Sequence, residues 1–235
     1  MKPEQPDNTP YAVHRGPHPG IVAVVHVALF LSSLLLLGIV SKGEAFPNPY
    51  NDLHEAQSSL LKYIDIIRIN SFLQFGAAIP LGIFTAAVTS RLHFLGVNVT
   101  GVSIALFGGI AASIFMTISS LSGWILTQPD IAANINLVHG IQFFSFATGG
   151  VGFIVPLGLL MAGVSVPCLF GHYTPKWIAV FGLTIAAIAE LSSFSLLYYP
   201  ANYLLPVARL GSFIWMIATG FTLVKNNNQI KYMEV

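Results

Sequence analysis

Two ionisable residues sit where the chain is most apolar. Glu190 lies inside Ile185-Ala186-Ala187-Ile188-Ala189-Glu190-Leu191, and Arg209 lies inside Leu204-Leu205-Pro206-Val207-Ala208-Arg209-Leu210. Both belong to residues 178–224, two apolar runs joined by the turn Tyr198-Tyr199-Pro200-Ala201-Asn202. Each run is close to the roughly 20 residues that a helix needs to cross hydrocarbon. A charge at that depth costs several kcal/mol, so it turns inward and takes a partner. Adjacent antiparallel helices bring the two within reach. At about 1.5 Å per residue, Glu190 is roughly 13 Å and Arg209 roughly 9 Å from the outer ends of their spans. His139 and Gln142 enter from the same side on another span, and Gln74 on a third. These five residues form the candidate polar centre.

Two kinds of chemistry suit this set. An ion pair can fix helix register and do nothing else, with His139 and the glutamines satisfying leftover hydrogen bonds. Alternatively, the centre is a pocket open to the outside, where Arg209 meets an anionic group or Glu190 gains and loses a proton. Hydrolysis ranks behind both. Ser192 and Ser193 neighbour Glu190, but no histidine shares their span, and no His-x-x-x-His ligand pattern or nucleotide-binding loop occurs. No catalytic residue, metal or cofactor is expected. The alternatives are therefore small-molecule binding or transport, a non-catalytic sensor or partner subunit, and a membrane-embedded hydrolase.

The elements that hold these residues follow from composition. The chain is 54% hydrophobic and 8% charged over 235 residues, with mean hydropathy +0.74. Soluble domains carry about 25% charged residues. Too few charges remain to cover a water-exposed surface, so the expected fold is all-α, a polytopic bundle of six transmembrane helices. The net charge of +1 argues against a nucleic-acid partner and leaves the lipid bilayer and a small ligand. The lone cysteine, Cys168, reads as a packing residue.

Spans are expected over residues 21–40, 71–90, 99–126 and 135–170, and as the hairpin within 178–224. The first is read as a retained helix and not a cleaved signal peptide, because it exceeds the roughly 7–15 apolar residues of such peptides. His26 within it reads as bonded to a neighbouring helix, with a proton-relay role as the alternative. Residues 135–170 are too long for one straight crossing, and Pro156 is the expected kink. Residues 1–20 and 225–235 read as polar cytoplasmic tails, the first disordered. Residues 42–70 form an outer loop. Asp52 precedes Glu55 there in a capping-box spacing, and Leu53, Leu60, Ile64 and Ile67 recur at helical intervals. That pattern predicts an amphipathic helix at the membrane surface that runs into the second span.

A duplication is also visible. Ile79-Pro80-Leu81-Gly82-Ile83 matches Val155-Pro156-Leu157-Gly158-Leu159, an offset of 76. Ile104-Ala105-Leu106-Phe107-Gly108 matches Ile178-Ala179-Val180-Phe181-Gly182, an offset of 74. Spans two and three thus resemble spans four and five as a duplicated helical hairpin. Repeats are common in transporters, where sites lie at the repeat interface.

Basic residues set the orientation. With both termini inside, Lys2, Arg15, Arg91, Lys176, Lys225 and Lys231 are cytoplasmic, and the outer side holds only Lys42, Lys62 and Arg68. Finally, Arg91-Leu92-His93-Phe94-Leu95-Gly96, Ala147-Thr148-Gly149-Gly150-Val151-Gly152 and residues 185–191 resemble an uncharacterised family of bacterial multi-pass membrane proteins over roughly residues 47–225. The resemblance implies a bacterial cell membrane and carries no residue roles.

Overall fold

The computed structural model describes residues 14, 16–42, 50 and 52–224. The tail at 225–235, most of that at 1–20, and the Pro47-Asn48-Pro49 break lie outside the described residues. Among the described residues the chain is helical throughout and has no strand. Six segments are long and apolar enough to cross a membrane. They comprise α1 (Pro19–Ser41), α3 (Ile64–Phe94), α4 (Thr100–Ile125), the pair α6 (Ile135–Gly149) and α7 (Val151–Gly171), α8 (Lys176–Leu191), and α9 (Leu204–Thr222). Two short helices, α2 (Leu53–Lys62) and α5 (Pro129–Ala132), lie between them. Single 3-10 turns, Ser192–Leu196 and Tyr199–Tyr203, join α8 to α9. The chain is a six-span membrane protein.

Local chemistry accounts for the helix boundaries. Pro19 opens α1, and the His18 ring accepts the Gly20 N–H at 3.2 Å. Asp52 caps α2 by accepting the N–H groups of His54 and Glu55, as its spacing implies. Asn134 caps α6 in the same way. Lys42 and Gly96 take left-handed backbone (φ 51° and 84°) at the ends of α1 and α3.

Packing is closest where α4 crosses α7. A Cβ added at Gly108 would stand 2.5 Å from the Pro156 carbonyl, and one at Gly163 would stand 2.8 Å from the Ala105 nitrogen. Small residues permit this approach, which in lipid gains van der Waals contact and needs no exclusion of water. The glycines matched between the two hairpins also lie at helix contacts. Gly82 of α3 faces Ser113 of the next span, and its counterpart Gly158 of α7 faces Ala189 and Glu190 of the next. Gly108 faces α7, and its counterpart Gly182 faces Trp215 of α9 and Ser165 of α7.

A second, smaller core closes the end of the bundle away from the termini. Leu37, Leu60, Ile67, Leu126, Ala132 and Val138 pack together there, joining α1 through α6. Gln57 donates to the Ala132 carbonyl at 2.8 Å, and Arg68 donates to the Thr127 hydroxyl and carbonyl, each at 3.3 Å. The amphipathic α2 therefore lays Leu60 on α6 and joins α3 through a bend at Tyr63.

The fourth span differs from expectation. Its discontinuity is at Gly149–Gly150, where φ/ψ of Gly150 is −87°/−103°, while Pro156 and Pro167 both sit inside α7. A Cβ added at Gly150 would stand 2.7 Å from the Phe146 carbonyl and one at Gly149 would meet the Ser119 hydroxyl, so the pair leaves room that a side chain would fill.

Overpacking a tight core costs roughly 1–3 kcal/mol. Gly108→Val is expected to lower the thermal midpoint of the detergent-solubilised protein by several degrees. Gly38→Ala, where nothing lies within 4 Å of the new methyl, should leave it unchanged or raise it. Equal midpoints for the two variants would show that the α4–α7 crossing is not close-packed.

Candidate functional site

A cavity of about 400 Å³ occupies the half of the bundle away from the termini, bounded by α1, α3, α4, α6 and α9. Helix ends position its walls. The last turns of α1 supply Phe30, Leu34 and Leu37, and the first turns of α3 supply Ile67, Asn70, Ser71 and Gln74. The second half of α4 supplies Met116, Ser119, Ser120 and Leu126, and α6 supplies Gln142, Ser145 and Phe146. Tyr50, Tyr199 and Tyr203 line the cavity yet are 49%, 48% and 74% exposed, so it opens at this end. The Tyr50 ring meets those of Tyr199, Phe143 and Phe146 edge-on and so spans the mouth.

Arg209 lies within, at the break in the fourth span. Its Nη2 donates to the Gly149 carbonyl at 2.5 Å, and its guanidinium stands 5.4 Å and 5.6 Å from the ring centres of Phe30 and Phe153. Its Nε has no hydrogen-bond partner. Neither does Oε1 of Gln142, a side chain only 3% exposed, nor Nδ2 of Asn202. All three residues line the cavity, and these three atoms are buried behind its surface. By contrast, Ser119 and Ser145 are spent on each other: each hydroxyl donates to the other residue's carbonyl, at 2.9 and 3.2 Å, clasping α4 to α6.

Of the five expected residues, the cavity gathers three: Arg209, Gln142 and Gln74. Gln74 also donates to Asn70 at 3.4 Å. His139 faces away and meets Phe143 edge-on at 4.8 Å, outside the lining.

Glu190 does not pair with Arg209. The ion pair found among the described residues is Arg68–Asp65, at 3.2 Å and on the surface. Helix phase explains the failure. Gly211 of α9 packs against Ile185 of α8. At 3.6 residues per turn, Arg209 points about 160° away from the Gly211 face and Glu190 about 140° away from the Ile185 face. Each therefore turns from the seam between its own helices. Glu190 instead rests exposed at the edge of α8 against Gly158 of α7.

Residues missed in the sequence are Asn70, the α4 serines, Asn202 and the mouth tyrosines. The Ser119-Ser120-x-Ser122 cluster and the tyrosine-rich turn were the available signals. His26 is buried, and Nδ1 donates to the Ala77 carbonyl of α3 at 2.8 Å, the neighbouring-helix bond expected of it.

Ser192 and Ser193 donate back to the carbonyls of Ala189 and Glu190. The His14 Nε2 to Ser90 Oγ contact of 3.0 Å is at the opposite end of the bundle. Burial, and then the Arg91 guanidinium, lower the pKa of His14. No metal-binding group of three His, Cys, Asp or Glu occurs among the described residues. No protein-family model, curated protein or solved structure matches the chain.

Residues with no shared partner have additive effects within about 0.5 kcal/mol. Glu190→Gln and Arg209→Met should therefore combine additively in a double-mutant cycle read by unfolding in detergent. A coupling of several times that size would restore the ion pair.

Proposed function

We propose that this protein binds a small molecule in the cavity beside Arg209 and serves in its transport across the membrane. The break between α6 and α7 supports this reading most. Irregular backbone at membrane depth is tolerated only where protein buries it or where it lines a cavity, and interrupted helices are a recurrent feature of transporter binding sites. Here Gly149 and Gly150 themselves line the cavity. Its volume lies in the roughly 300–1,000 Å³ range of small-molecule sites, with a mainly apolar lining and a few polar groups. The partner-subunit alternative drew on a buried Glu190–Arg209 pair, which does not form. Arg91 and Lys176 stand at the end near the termini, which favours a cytoplasmic placement for that end and an outward-facing cavity. A bacterial cell membrane is the setting this reading assumes.

Substituted cysteines test access. Cys168 is 1% exposed and is replaced by serine for the purpose. In that background, Ser120→Cys and Asn70→Cys should react with a small, membrane-impermeant methanethiosulfonate added on the side away from the termini. Failure of both to react, while a surface Asn136→Cys reacts, would mean the cavity is closed to water and would remove the binding role.

A further inference from the structure

We infer that the ligand is an amphipathic anion whose carboxylate or phosphate head meets Arg209, with its hydrocarbon directed outward. This deepens the binding reading above and rests on it.

Charge comes first. Arg209 is the one charged side chain among the described residues of the lining, and no Asp or Glu accompanies it. A guanidinium stays protonated at any accessible pH. The backbone around it offers little compensation. The negative end of α6 and the positive end of α7 meet at Gly149–Gly150, about half a charge each, and largely cancel. One carbonyl takes one N–H, and Nε is left over. A buried positive charge with a spare donor selects an anion and disfavours a cation.

Hydrogen bonding agrees. Asn202 Nδ2 is a second unpartnered donor, and the buried Gln142 amide has an unpaired atom that becomes a donor after a half turn of the amide. An anionic head would bring acceptors to the part of the cavity that Arg209, Asn202 and Gln142 line.

The apolar wall supplies the rest. Phe30 flanks the guanidinium, and the residues beyond it toward the mouth on α1 are Leu34 and Leu37. Ile67 at the start of α3 and Leu126 at the end of α4 continue that wall. The head therefore enters first and the hydrocarbon trails toward the tyrosine-rimmed opening. A small hydrophilic anion would leave this wall uncovered, and a neutral amphiphile would leave Arg209 uncompensated.

The test uses the full chain in phosphatidylcholine nanodiscs, titrated calorimetrically with dodecanoate and dodecyl phosphate. Dodecanol probes the tail alone, and butyrate and inorganic phosphate probe the head alone. Dodecanoate or dodecyl phosphate should bind saturably and at least tenfold more tightly than any of these. Arg209→Met should lose at least tenfold, with Arg209→Lys in between. Dodecanoate should also protect Ser120→Cys from labelling. Discs doped with phosphatidic acid identify the source. Loss of dodecanoate binding there supports a lipid headgroup as the anion, and undiminished binding supports a free amphiphile. Dodecanol binding as tightly as dodecanoate, or undiminished binding by Arg209→Met, would overturn the inference while leaving a water-accessible cavity intact. If Arg209→Met fails to fold, the dodecanoate-to-dodecanol ratio of the unmodified protein decides. Ser120→Cys and Asn70→Cys both inert to the reagent would instead defeat the binding reading itself.

Discussion

The hydrogen bond from Arg209 to the Gly149 carbonyl answers the strictest demand a membrane makes on a chain. A helix interrupted within the bilayer exposes backbone groups that lipid cannot satisfy, at several kcal/mol each. An arginine carried by α9 meets that need, and the broken helix in turn gives the arginine a reason to be buried. The faces of Phe30 and Phe153 add cation–π attraction, worth up to about 2 kcal/mol when desolvated. One side chain thereby ties α1, α6, α7 and α9 together.

The contrast between the two halves of the bundle follows from that break. Towards the termini, α4 lies on α7 through Gly101, Ala105 and Gly108, and the seam is closed. Beyond Gly150 its neighbour is α6, held by the Ser119–Ser145 clasp. The break lies at the cavity, which Gly149 and Gly150 line. A continuous fourth helix would bring the close crossing further up α4. The sequence-matched glycines Gly82 and Gly158, and Gly108 and Gly182, all sit at close helix contacts. The polar lining draws on the first hairpin through Asn70, Gln74 and Ser120 and on the later helices through Gln142 and Arg209.

Much of this was legible in the chain itself. Apolar runs located the spans because a helix in lipid must be apolar for about 20 residues. Asp52 marked a helix start through its local hydrogen-bond requirement. The crowding of Gln74, Gln142 and Arg209 into one half of the bundle was readable from depth along each span. Their meeting also needed the helix phase that packing sets, which left His139 and Glu190 out of the lining. Asn202 and Tyr50 were not recoverable, because turns and connections carry no periodicity to fix their direction. Pro156 drew attention as the residue that lacks an N–H, yet the glycine pair six residues earlier broke the helix.

Sequence alone determined that this is a membrane bundle, how often it crosses, and that its polar groups share one end. Those properties depend on residue type and on distance along an axis. Tertiary structure decided which of them face one another. Helix phase turned Arg209 inward and Glu190 to the rim, since a rotation of some 150° leaves depth unchanged while reversing the direction of a side chain. The two charges that looked paired along the chain are separated by azimuth, which is set only when neighbouring helices choose the faces they bury.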